Sequence, residues 1–201
     1  MSQIVHPTKA RLIETTVELM DTKLPSEIAV DEILEKSGIS KGSLYHHFED
    51  LGELLEAAQV SRYAVWVDRS ISLIVPVLSA AKTRDDIIEG LRRITEFTQS
   101  PDYKGTRFSR ARALANSETS ERFQRALGSE QDRLTTALQD LVEEAKNKGL
   151  FREHLDSRVV AVFIQSYTLG KIVDDIVPQP MGQSNWNNFI LEMLINTMVT
   201  P

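Results

Sequence analysis

The sequence has no cysteine, which excludes disulfide staples, thiolate metal sites and a cysteine nucleophile. Its four histidines, His6, His46, His47 and His154, are too scattered for a metal site at motif spacing. No apolar run approaches the roughly 18 residues that a membrane span needs. The stretch Met1 to Pro7 lacks the basic and apolar segments of a secretory signal, so a cytoplasmic location is expected. HExxH, a glycine-rich phosphate loop and GxSxG are all missing, so neither catalysis nor a metal or other cofactor is expected. An excess of basic residues is missing too: 23 Lys and Arg stand against 29 Asp and Glu, for a net charge of −6. Residues 1–60 hold 5 cations and 11 acids, so they carry that whole imbalance. Nucleic-acid binding, if present, must rest on local geometry and not on bulk charge.

What is present is a helical pattern. The 201 residues are 41% apolar and 26% charged, enough to bury about 70% of the extended surface without staples. Apolar residues recur at spacings of three and four throughout, and no segment alternates for long. The pattern predicts an all-α fold of about nine helices. The first runs from Thr8 to Thr22, stopped by Pro25. The second covers Val30 to Ser37, with Gly38 as a left-handed stop. The third covers Lys41 to His47 behind Ser40 as N-cap, and the fourth opens at Asp50-x-x-Glu53 and is limited by Pro76. Later segments run from Thr83 to Gln99, Phe108 to Ala115, Ser120 to Lys148, Asp156 to the residues before Pro178, and Ser184 to Met198.

Residues 30–48, VDEILEKSGISKGSLYHHF, join two short helices through a tight turn at Gly38, the arrangement of a helix-turn-helix. Ile33, Leu34, Ile39, Leu44 and Phe48 would pin the pair. The outward face of the second helix would then show Lys41, Ser43, Tyr45, His46 and His47. Ser37 to Phe48 contains no acid, although acids are dense on either side, and these donors suit phosphates and base edges. Pattern alone leaves open two small core helices with a polar outer face.

The run Gly38-Ile39-Ser40-Lys41-Gly42-Ser43-Leu44-Tyr45-His46-His47-Phe48 closely resembles the recognition segment of TetR-family transcriptional repressors. The resemblance is specific over about residues 8–57. It implies a helix-turn-helix DNA-binding domain over 1–50 and an effector-binding and dimerisation domain over 51–201. The implied partners are a double-stranded operator, a second copy of the chain and a small-molecule effector; no membrane is involved. Ser40, Lys41, Gly42, Ser43, Tyr45, His46 and His47 are the implied DNA-binding residues. Among them Tyr45 donates to a phosphate, Gly42 permits close backbone approach, and His47 lies about 100° around the helix from His46, which favours packing. His46 predicts operator binding that tightens as imidazole protonates. Two positions depart from the family pattern: Leu51 replaces a phosphate-gripping lysine, and Ala29 replaces a capping Ser or Thr.

The resemblance also places an effector cavity among the fourth to eighth helices. Candidate wall residues are Tyr63, Trp66, Phe97, Arg107, Phe108, Arg110, Arg112, Asn116, Phe163 and Tyr167, with Tyr103, Gln165 and Ser166 as further possibilities. Arg107, Arg110 and Arg112 are either a solvated basic face partnering Glu118 and Glu121 or a clamp for an anionic effector. Asp174-Asp175, inside an apolar helix, reads as an interface cap. Two helices carry wider apolar surfaces than one core covers, so Phe163, Tyr167, Gly170, Val173, Trp186, Phe189, Ile190 and Met193 are expected at a dimer interface. A ligand-binding relative with weak or lost DNA binding is the competing function. Leu51, Ala29 and the acidic N-terminal charge all remove phosphate contacts. Any DNA complex is therefore expected to show a shallow dependence of log K on log salt, checked by titrating one duplex across salt concentrations.

Overall fold

The computed structural model describes residues 6–201; Met1 to Val5, part of the stretch tested for a secretory signal, lie outside the described residues. Nine α-helices of seven or more residues, one single-turn α-helix and three short 3₁₀ turns form the helical part of the described chain, the α-helices being α1 Pro7–Leu19, α2 Val30–Ser37, α3 Lys41–His47, α4 Leu51–Ser79, α5 Arg84–Gln99, α6 Lys104–Asn116, α7 Glu121–Asn147, α8 Ser157–Gly170, the single turn α9 Ile172–Asp175, and α10 Gln183–Met198. An isolated antiparallel bridge, Phe151 to Val199, ties down the C-terminus. No described helix is long and apolar enough to cross a membrane.

Local chemistry fixes most helix ends where the sequence places them. Ser40 Oγ accepts from the Ser43 N–H at 3.2 Å, and Asp50 Oδ1 from the Glu53 N–H at 2.7 Å, satisfying first-turn donors that have no helical partner. The Glu53 carboxylate reaches back to the Glu49 N–H at 2.6 Å, one residue earlier than in an ordinary capping box. Ala29 caps α2 without a side chain; its own N–H instead donates to Glu32 at 3.3 Å. Thr83 and Asp86 cap α5 reciprocally, at 3.2 and 2.9 Å.

Several boundaries differ from the sequence reading. Pro76 does not end α4, which continues to Ser79; so near the C-terminus the missing N–H costs one hydrogen bond and the last turn survives. α6 starts four residues before Phe108, and α10 is capped by Gly182 instead of opening at Ser184. The segment after Asp156 is not continuous: α8 stops at Gly170 and the chain makes one further turn, α9.

Two apolar clusters form. The N-terminal one joins Leu12, Ile33, Leu44 and Phe48 to Leu54 and Ala58 of α4. The larger one gathers Val67, Ile87, Phe123, Leu127 and Leu194 with their neighbours. α4 contributes to both. Its first two turns close the N-terminal cluster, and the division at residue 50 expected from the sequence falls at the start of this helix. Gly38 sits at φ +72°, and a Cβ there would meet no atom within 4 Å. Gly38→Ala is therefore expected to cost about 1–2 kcal/mol of stability from backbone strain alone, measurable by urea unfolding.

Candidate functional site

The α2–α3 pair presents its polar face outward because Leu44 and Phe48 are held in the N-terminal core. Ser40, Lys41, Gly42, Tyr45 and His46 are exposed, and Ser43 is half-buried. His47 is half-buried as well, its ring 4.7 Å from that of His6 and 5.2 Å from that of His46. Desolvation, then the nearby His6, His46 and Lys9, hold the His47 imidazole below its usual range, so it adds no charge to the face at neutral pH. Beside this face the start of α4 is acidic. Glu49 and Asp50 are exposed and Glu53 is half-buried around Leu51. Arg122 of α7 reaches Glu49 at 3.6 Å and Glu56 at 2.8 Å.

A second site lies inside the C-terminal helices. A cavity of about 60 Å³ is enclosed by α4, α5, α6, α7 and α8, and its walls include Trp66, Phe97, Arg107, Arg110, Gln165 and Tyr167. Phe97 and Tyr103 meet edge-on at 4.7 Å. Arg107 is 2% exposed. It binds Asp175 with two nitrogens, Nη2 at 2.9 Å from Oδ1, while Lys171 Nζ reaches the same carboxylate at 3.2 Å. Burial alone pushes the Asp175 carboxyl up, but the bonds from Arg107 and Lys171 outweigh it and hold the group below the usual carboxylate range. Next to this cluster, Arg110 lies with its guanidinium 3.6 Å above the Trp66 ring. Tyr63 donates its hydroxyl to Gln131, which donates in turn to Gln165.

Residues 12–58 match the model of the family described as bacterial regulatory proteins, tetR family. The match contains the whole α2–turn–α3 unit. The likeness to the tetR family rests on these residues. The full TetR-like fold extends well beyond them. A protein from Mesorhizobium loti MAFF303099, described as a TetR-family transcriptional regulator, superposes with TM-score 0.73 at 16% identity, over 99% of this chain and 100% of that one. Reduced NemR from E. coli does so with TM-score 0.66 at 16% identity, over 98% and 100%. A transcriptional regulator from Saccharomonospora viridis in complex with choline gives TM-score 0.67 at 15% identity, over 96% and 98%. No curated protein matches the sequence.

Within the TetR-like fold the sequence candidates separate. Trp66, Phe97, Arg107, Arg110 and Tyr167 line the cavity, as do Tyr103 and Gln165. Tyr63 and Arg112 instead line an outer cleft bordered by residues 20–27, α4 and α6. Phe108 and Asn116 line neither space. Phe163 is 42% exposed on the outer side of α8, so it is not a cavity wall. The dimer-face candidates also divide. Ile190 is 2% exposed inside the protomer core, and Trp186 and Met193 pack against that core, Trp186 donating its Nε1–H to Gln99 at 2.8 Å. Tyr167 faces the cavity. Exposed apolar surface remains at Phe163, Val173 and Phe189, and Gly170 is exposed as well.

The arginine-rich segment is not a solvated face, since Arg107 and Arg110 are buried and only Arg112 is exposed. Asp175, read as an interface cap, is the carboxylate that Arg107 needs. An acid set in an apolar helix was the available signal. Asp175→Asn would leave Arg107 and Lys171 buried without a counter-charge. It is expected to lower the unfolding free energy by about 3–5 kcal/mol at neutral pH. Because the folded carboxyl titrates below its ordinary value of 3.8, the stabilisation is full above that value and is lost as pH falls through the folded pKa. The gap between variant and wild type, read by urea unfolding at stepped pH, should close in that acid range.

Proposed function

We propose that the protein is a dimeric, sequence-specific DNA-binding transcriptional regulator, a repressor released from a palindromic operator when a small molecule occupies the C-terminal cavity. The observation that carries this reading is the exposed, acid-free α3 face on a segment that matches the tetR family. Lys41 supplies its full positive charge, Tyr45 a hydroxyl for a phosphate, and Ser43 and His46 the short donors that base edges require. The choline complex of the S. viridis neighbour supports a small molecule as effector.

Dimerisation is supported by an unpartnered stripe that runs along α8 and into α9. Val159, Val162, Phe163, Ser166, Gly170 and Val173 are exposed at helical spacing, and the small pair in the middle would let a symmetry mate approach closely. Two recognition helices held by such an interface would meet successive major grooves about 34–36 Å apart. Release would then be a population shift: the effector favours an arrangement whose spacing does not fit the operator. α4 is the natural lever, since its N-terminal turns pack under α3 and its middle lines the cavity.

A second reading, a TetR-like ligand-binding protein with weak or lost DNA binding, is favoured by the acids around Leu51. Selection of bound duplexes from a random pool separates the two. One palindromic site, absent when the Lys41→Ala/Tyr45→Ala double variant is used, is the expected result. Recovery of no site above that control by a folded dimer would establish the second reading.

A further inference from the structure

Resting on the reading of the cavity as the effector site, we infer that the effector is an elongated amphiphilic carboxylate, its head on the edge of Arg110 and its apolar chain running between α5, α7 and α8. Three arginines, Arg69, Arg107 and Arg110, line the cavity among the described residues, and no carboxylate does. Arg107 is committed to Asp175, which Lys171 also shares. Arg110 is 6% exposed, has no ion pair among the described residues, and its buried Nε has no hydrogen-bond partner. Desolvation accordingly pulls its guanidinium below the ordinary value. A buried cation in this condition is costly to keep unless an anion completes it.

The geometry also narrows the headgroup. Trp66 covers one face of the Arg110 guanidinium, which leaves the N–H edge, with the Tyr63 hydroxyl beside it, as the recognition surface. That edge is a planar fork that matches a carboxylate with two parallel hydrogen bonds. The same stacking excludes a quaternary ammonium from the Trp66 face, where aromatic recognition of such a cation would occur, because a cation already occupies it. This chain should therefore not share the ligand seen in the S. viridis structure.

The route and the tail site are visible as well. Arg110, Arg69, Trp66, Tyr103 and Thr106 border both the cavity and the outer cleft, so the head lies at the wall through which a ligand would enter. Inward, a second cavity of about 30 Å³ adjoins the first and shares Ile74, Ile94, Leu138, Ile164 and Tyr167 with it. Its remaining walls are almost wholly apolar. Two narrow spaces in series, parted only by side chains, suit a chain better than a globular body.

Direct binding to the full-length protein, without DNA, tests this by calorimetry with sub-micellar octanoate, decanoate, decyl sulfate, 1-decanol and decyltrimethylammonium. Octanoate and decanoate are expected to bind, decanoate more tightly by the burial of two further methylenes. Arg110→Gln should weaken decanoate by roughly 10- to 100-fold, and Arg110→Lys should restore part of that loss. Three results would overturn the inference: no heat from decanoate, equal affinity for 1-decanol or decyltrimethylammonium, or unchanged decanoate affinity in a folded Arg110→Gln variant. Tighter binding of decyl sulfate than of decanoate would overturn the choice of carboxylate. Decanoate binding by a protein that selects no DNA site would sink the regulator reading and leave this one standing; operator binding with no carboxylate affinity would do the reverse.

Discussion

Everything in this structure is hung on one continuous helix that belongs to two cores. α4 runs for 29 residues; Leu54 and Ala58 complete the packing of α1 to α3, while Val67, Ile74 and Leu78 belong to the C-terminal cluster. Polar ties reinforce the arrangement from both sides. Arg62 donates to the Met20 carbonyl at 2.8 Å, and Arg122 and Arg133 of α7 pair with Glu56 and Asp68 of α4. An α-helix is stiff along its axis, so a small tilt imposed at Trp66 is delivered to Leu51 and not absorbed between them. Interfaces of this kind convert a local change into a displacement of the whole end domain.

The second constraint is electrostatic. Removing Arg107, Lys171 and Asp175 from water is expensive, and the attraction among them offsets that cost only with good geometry. The two-point contact of Arg107 with Asp175 supplies such geometry and fixes α6 against the turn after α8. Lys171 and Asp175 lie four residues apart at the end of α8, so Lys171 reaches the same carboxylate that Arg107 binds. The adjacent Arg110 has a tryptophan face and no counter-charge, which makes the same region both a structural cluster and an incomplete one.

How far the sequence showed all this depends on whether the governing interaction was local. The α2–turn–α3 unit was legible to the residue, because Gly38, Ser40 and the apolar positions act within a few residues of themselves. The α5 and α7 caps at Thr83 and Ser120 were legible for the same reason. The continuation of α4 past Pro76 was not, because the proline's missing hydrogen bond is outweighed by tertiary packing of Leu78. Within the arginine run, Arg107 and Arg110 are three apart and share a helix face, whereas Arg112 is turned away. Spacing could have separated them, but only the fold reveals that the shared face is buried. Asp175 lies 68 residues from Arg107, beyond any local signal. The burial of Ile190 in its own protomer was not legible, because an amphipathic helix with surplus apolar surface does not declare which flank meets its own protomer.

The acidic character of the N-terminal region bears on how such a protein would be distributed in a cell. A genome is a vast reservoir of weak sites, and strongly basic regulators spend most of their time sequestered on it. Glu49, Asp50 and Glu53 beside α3 would oppose that capture. A copy bearing them would remain largely unbound and find its site by repeated free encounters more than by sliding. The concentration available to a rare effector would then be close to the total concentration of the protein.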